Sequence, residues 1–146
     1  MDFFAVWRMF WGDLNTPDSF HDRPYEAGLN QIGHIALGAI AVCVACLVWS
    51  MFYAEMPHKA AVWLAVTGGY AVIVECWRQG WAGADSVVDS AFFGMGAAIP
   101  LLALSEVAIR PHVRLGVNEI EGLVSIGAAV AALGVYVYPR ARRKWG

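Results

Sequence analysis

Apolar residues in this chain come in four blocks separated by short polar interruptions. The blocks are residues 31–54, "QIGHIALGAIAVCVACLVWSMFYA"; 58–76; 86–104, opening with "SVVDSAFFGMGAAIP"; and 120–138, "IEGLVSIGAAVAALGVYVY". A helix rises about 1.5 Å per residue, so about 20 apolar residues cross the hydrocarbon core of a bilayer. The pattern therefore predicts an all-α membrane protein with four transmembrane helices. The interruptions carry turn chemistry. "EMPHK" is a tight connection in which Pro57 resets the helix, and Gly80 and Gly83 punctuate the second connection. Pro111 is placed to help close the third helix.

Ahead of the first block, "MDFFAVWRMFWGD" has Phe3, Phe4, Trp7, Phe10 and Trp11 at three- and four-residue spacing. This suits an amphipathic helix lying in the interface with its rings at headgroup depth. The acid at position 2 and the lack of a basic start or a small-residue cleavage site do not resemble a secretory signal. The expected organisation is an interfacial helix and polar connector over residues 1–30, a four-helix bundle over 31–138 and a basic tail over 139–146. The connector's Asp13, Asp18, His21, Asp22 and Glu26 match no metal-loop spacing and read as a solvated loop.

Composition strengthens the membrane reading. Of 146 residues, 59% are hydrophobic and only 15% charged, and the mean hydropathy is +0.52. Soluble domains carry about a quarter charged residues. A net charge of -2 argues against a generally basic nucleic-acid-binding chain. Cys43, Cys46 and Cys76 all sit in apolar runs and read as small buried hydrophobes rather than a disulfide framework or zinc site. "GMGAA" and "GAAVAALG" offer small-residue faces, expected to pack the third helix on the fourth, with a dimer seam as the alternative.

Charge placement gives the orientation. The tail holds Arg140, Arg142, Arg143 and Lys144. With this end cytoplasmic, four spans put the N-terminus inside as well. Seven basic residues then lie inside and three, Lys59, Arg110 and Arg114, outside. The expected location is the plasma (inner) membrane with both termini cytoplasmic. Tyr136, Tyr138 and the tail should anchor the chain at anionic headgroups.

This topology makes one polar seam conspicuous. Between the second and third blocks lie Glu75, Arg78, Gln79, Asp85 and Asp89. Glu75 lies at the inner end of the second helix and Asp89 about one turn into the third. His34 lies about one turn inside the first helix, so three segments converge at one depth. Asp85 and Asp89, four apart, share a helix face. Ionisable residues in spans tend to face the bundle interior or a wet cavity and to find partners. Converging carboxylates repel one another, so one of them is expected to hold a proton and act as a carrier or general acid. With His34 as a nitrogen donor, the same set could instead hold a divalent metal. The plainer reading is that Asp85 caps its helix and Glu75 ends its own in headgroup water. Asp89 fits that reading least, having apolar neighbours on both sides.

At these residues the chain resembles the VanZ-like group of small polytopic membrane proteins. "NQIGHIALG" supplies a His at the start of an early helix, His34. "ECWRQGWAGADSVVDSAFFGMG" supplies Glu75, Gln79, Gly83, Asp85, Asp89 and Gly96. The two patches cover somewhat under half the chain. Two departures stand out: the group's Asn position falls on Phe93, and Glu75 to Gln79 spans one residue more than the pattern. The resemblance implies envelope or lipid-linked chemistry.

The expected function is thus an integral membrane protein with an intramembrane polar site of His34, Glu75, Arg78, Gln79, Asp85 and Asp89. That site would serve an envelope lipid headgroup or small amphiphile. The alternatives are a phage holin-like or accessory membrane subunit without catalysis, and a proton-coupled transporter fragment. The bilayer is the expected partner, with a homo-oligomer compatible and no nucleic acid. No GxSxG, HExxH, P-loop or paired CxxC occurs, so no cofactor is called for and no reaction is specified.

Overall fold

A computed structural model of the chain describes residues 23–53, 55, 57–81, 83–106, 116–117 and 119–145. The interfacial helix expected near the N-terminus, the acidic positions of the connector before Arg23, and Pro111 all lie outside the described residues.

The first helix, α1, is Pro24–Phe52. It begins ahead of the apolar block at residue 31, so the end of the expected connector is helix. The reason is local. Pro24 sits at the start, where its missing N–H costs nothing, and Glu26 in the first turn favours the positive end of the helix. Arg23 donates to Glu26 at 3.1 Å across that turn. The second helix, α2, is Lys59–Tyr70 and continues as a π-helical segment, Ala71–Arg78. The third, α3, is Ala84–Ala103, and the fourth, α4, is Glu119–Trp145. The basic residues 140–144, expected as a separate tail, continue α4. Arg142, Arg143 and Lys144 occupy its last turn, where cations offset the negative helix end. The connection between α3 and α4 carries a small antiparallel pairing of β1, Leu104–Glu106, with β2, Gly116–Val117.

Four helices are long and apolar enough to cross a membrane: Pro24–Phe52, Lys59–Arg78, Ala84–Ala103 and Glu121–Lys144. Burial is inverted relative to a water-soluble bundle, as a lipid solvent demands. Ile40, Leu47, Leu64, Ile73, Val130 and Val135 are exposed. Yet three of the four largest side chains under 2% exposed are polar: Gln31, Glu75 and Ser86. A membrane-embedded protein hides polar groups from hydrocarbon and leaves apolar ones outside.

The tightest seam joins α1 to α3. A Cβ placed on Gly38 would overlap the Phe93 carbonyl oxygen, and one on Gly96 would overlap the Ile35 carbonyl oxygen. The two glycines thus let the helices meet backbone to backbone. Beyond them Val42, Val62, Ala97 and Leu101 form the buried apolar cluster. The expected packing of the small-residue faces of α3 and α4 holds in part, since Met95 and Ala98 share a recess with Ala128 and Ala129, but the glycines serve other seams. Gly96 serves the α1 seam and Gly94 faces Trp63 and Thr67 of α2, while Gly127 and Gly134 of α4 have nothing within 4 Å. The bulkier Trp63 and the α1 backbone claim the space that small residues on α3 provide. Gly122, against Ala103 of α3, and Ala129 are the buried small residues of α4 among the described residues.

Antiparallel succession brings one end of each helix to a shared side. The α1 start, the end of the π segment, the α3 start and the α4 end meet there. A Cβ on Gly28 would lie 3.2 Å from the Val137 side chain, and Phe92 meets Tyr136 edge to face at 5.4 Å.

Candidate functional site

Three helical segments supply the site. On α1, Gln31 and His34 are three residues apart and share a face. Their backbone is held next door, where Gly38 meets the Phe93 carbonyl and Gly96 meets the Ile35 carbonyl. On α3, Asp89 sits about one and a half turns from the helix start. Gln31 donates through Nε2 to Asp89 Oδ1 at 2.7 Å, tying α1 to α3. Opposite the other carboxylate oxygen, His34 Nε2 stands 3.8 Å from Asp89 Oδ2. That separation is too long for a hydrogen bond.

The π segment supplies Glu75, and its winding explains how. The Tyr70 hydroxyl donates to Glu75 Oε1 at 2.6 Å. In an α-helix, residues five apart are turned about 140° away from each other. The i→i+5 ladder of a π-helix brings them back toward one face. The overwide turn therefore swings Glu75 inward and gives it Tyr70 as a partner. The segment closes with Gln79 N–H donating to Val74 O and Trp81 N–H donating to Glu75 O at 2.7 Å. Gly80, Trp81 and Gly83 then carry the chain round in left-handed conformations, with φ of 69°, 56° and 69°.

His34, Glu75 and Asp89 each present a donor atom, and these atoms lie within 4.8 Å of one another. Glu75 is 0% exposed, and the side chains of His34 and Asp89 are 13% and 14% exposed. His34 Nδ1 lies 3.0 Å from the Asn30 carbonyl oxygen. A carbonyl can only accept, so Nδ1 carries the proton of this hydrogen bond and neutral His34 has a bare Nε2. Glu75 Oε2 and Gln31 Oε1 are buried without a hydrogen-bond partner among the described residues. Tyr70 braces the site: its ring stacks on Phe93 at 4.1 Å and meets the His34 imidazole edge to face at 5.9 Å. Phe93 thus supports the residue that holds Glu75.

Of the six residues singled out from the sequence, the structure brings His34, Glu75 and Asp89 together. Asp85 is half-buried one turn from Asp89 and adds its charge to the surroundings of that carboxylate. Arg78 is exposed at the end of the π segment and Gln79 is half-buried at its C-cap. Sequence reasoning missed Gln31 and Tyr70. The three-residue step from Gln31 to His34 was a legible signal. The five-residue step from Tyr70 to Glu75 was not, because it makes neighbours only in a π-helix. Tyr136 of α4 was assigned to interfacial anchoring. It also interacts with Gln31, while Arg140 lies 3.7 Å over its ring and donates to its carbonyl oxygen at 2.8 Å.

Comparison with family models, curated proteins and solved structures brings out no match. The chemistry of the site therefore stands on its geometry: two carboxyl groups and an imidazole converge on one point inside a span. Such a constellation can hold a cation, a proton or the polar part of a ligand.

Proposed function

We propose that the protein binds the polar head of an envelope lipid or similar amphiphile at the His34–Glu75–Asp89 site, close to the cytoplasmic face of the plasma membrane. The observation that carries this reading is Glu75. Its side chain is fully buried, yet Oε2 has no partner among the described residues and belongs to the carboxyl group that faces His34 and Asp89. Leaving a buried carboxylate half-satisfied costs about 1–3 kcal/mol or more. A purely structural site would remove that cost by a substitution. A site that awaits a ligand keeps it.

The surroundings suit an amphiphile. The exterior is apolar, so a lipid-like molecule reaches the helices laterally. Trp77 and Trp81 are exposed beside the site, as ring belts at headgroup depth are. At the same end of α4, Tyr138, Pro139, Arg142 and Arg143 line a shallow recess with the charge to receive a phosphate. Four basic residues at this end favour the cytoplasmic side. The resemblance to the VanZ-like group points toward the same envelope chemistry.

Native mass spectrometry of the protein in mild detergent tests the reading. The wild type should retain an amphiphile that Asp89→Asn releases and that Glu26→Gln, altered only in the exposed first turn of α1, keeps. Equal lipid retention by all three would favour the holin-like or accessory role and sink this proposal.

A further inference from the structure

We infer that His34, Glu75 and Asp89 form a binding site for one divalent first-row transition-metal ion, of the zinc or manganese class, between α1, the π segment and α3. The inference deepens the reading above and rests on it in one respect, that the buried donors face a ligand.

The hydrogen-bond pattern carries it. Each of the three side chains has one polar atom occupied by a neighbour. His34 Nδ1–H donates to the Asn30 carbonyl at 3.0 Å. Asp89 Oδ1 accepts from Gln31 at 2.7 Å, and Glu75 Oε1 accepts from Tyr70 at 2.6 Å. The atoms left over are His34 Nε2, Asp89 Oδ2 and Glu75 Oε2. All three are lone-pair donors. Outer hydrogen bonds of this kind orient the ligands of metal sites and fix the imidazole tautomer.

The leftover atoms cannot satisfy one another. At 3.8 Å, His34 Nε2 and Asp89 Oδ2 face each other with no hydrogen bond between them. Two lone pairs turned together repel each other until a proton, a water or a metal cation comes between them. A single added proton on His34 would serve Asp89 and still leave Glu75 Oε2 alone. A divalent ion serves all three and cancels both carboxylate charges.

Dimensions agree. Around a tetrahedral ion with nitrogen and oxygen donors at about 2.1 Å, the donors stand about 3.4 Å apart. The observed 3.8 Å for the His34–Asp89 pair and the 4.8 Å limit for one donor atom of each residue reach that by small side-chain movements, with Glu75 free to turn either carboxylate oxygen to the ion. One imidazole with two carboxylates suits zinc or manganese and gives no preference to soft copper(I). Three protein ligands leave a position open for water or for an oxygen of the ligand head. A phosphate-bearing head would otherwise be repelled by Glu75 and Asp89, and the ion removes that repulsion.

The test uses the full chain in mild detergent, stripped with EDTA, incubated separately with Zn²⁺, Mn²⁺ or Co²⁺ and freed of excess ion by gel filtration. Elemental analysis should find one ion per chain in the wild type and in His58→Gln, and cobalt should show the visible bands of a nitrogen–oxygen site. Glu75→Gln, Asp89→Asn and His34→Gln should each weaken binding by about tenfold or more. Tyr70→Phe keeps all three donors and should weaken binding less than they do. An ion-free wild type, or His34→Gln and Asp89→Asn holding as much ion as the wild type, overturns the inference. Should any one variant fail to elute as a folded species, the other two decide. Amphiphile retention is read separately. Retention without an ion overturns the metal and leaves the headgroup reading standing, whereas an ion without retention supports the metal and removes the headgroup.

Discussion

The α1–α3 seam has two halves built on opposite rules. In one half Gly38 and Gly96 bring the backbones together, and Val42, Val62, Ala97 and Leu101 close a dry cluster. In the other half Gln31, His34 and Asp89 hold the helices through polar side chains, and buried oxygens remain without partners among the described residues. Only four residues separate His34 from Gly38 on α1, about one turn. In lipid, close packing rather than the hydrophobic effect holds helices together. The dry half can therefore supply stability, and the rigid contact next door lets the polar half stay unsatisfied without collapsing.

The sharpest way to break this comparison is to overfill the dry half. Gly38→Ala and Gly96→Ala each drive a methyl group into a carbonyl of the facing helix. Each should cost about 3 kcal/mol, the upper end for overpacking, read as thermal unfolding in detergent. Gly33→Ala, where nothing lies within 4 Å, is the internal control. It should be neutral or gain up to about 1 kcal/mol from helix propensity. Equal behaviour of all three would mean that the seam is not where the bundle is held.

The second effect has the opposite sign. Glu75→Gln keeps an acceptor for the Tyr70 hydroxyl and removes a buried charge with an unpartnered oxygen. The metal-free protein should gain about 1–3 kcal/mol while losing ligand binding. Tyr70→Phe strips the remaining partner from Glu75 and should cost about 1–3 kcal/mol. If Glu75→Gln destabilises the metal-free protein instead, the carboxylate is structural and the two halves of the seam do not differ in kind.

The four spans and much of the polar half were legible in the sequence, and little of the dry half was. The four spans follow from apolar runs long enough to cross a bilayer, and the structure keeps all four. The convergence of His34, Glu75 and Asp89 followed from alternating helix direction alone, since antiparallel helices return to the same side. Three features escaped. Gly38 sits in an ordinary apolar run, and nothing local marks it as the residue that meets the Phe93 carbonyl. The π segment has no composition signal, so Tyr70 could not be placed beside Glu75. Helix ends followed proline and charge placement rather than hydropathy. Pro24 started α1 early, and the basic residues after Tyr138 extended α4.

The smallest expected effect asks whether α2 shares in the dry half. Trp63 donates through Nε1 to the Gly94 carbonyl oxygen at 2.8 Å, and its ring occupies the space that Gly94 leaves open. A helical carbonyl has two lone pairs, so Gly94 can keep its own helix bond when Trp63 is lost. Trp63→Phe should therefore cost only the interhelical bond, about 0.6–1.7 kcal/mol in a membrane bundle. It should leave ion and amphiphile binding unchanged, because Trp63 supplies none of the three donors and stands seven residues, about two turns, before Tyr70 on α2. A cost above that of Gly96→Ala would move the centre of stability from the α1–α3 backbone contact to the α2–α3 face. The polar half would then be braced through the π segment that continues α2, so a mutation at Trp63 should also loosen Glu75 and lower binding. Measuring stability and binding on the same Trp63→Phe sample separates these two constructions.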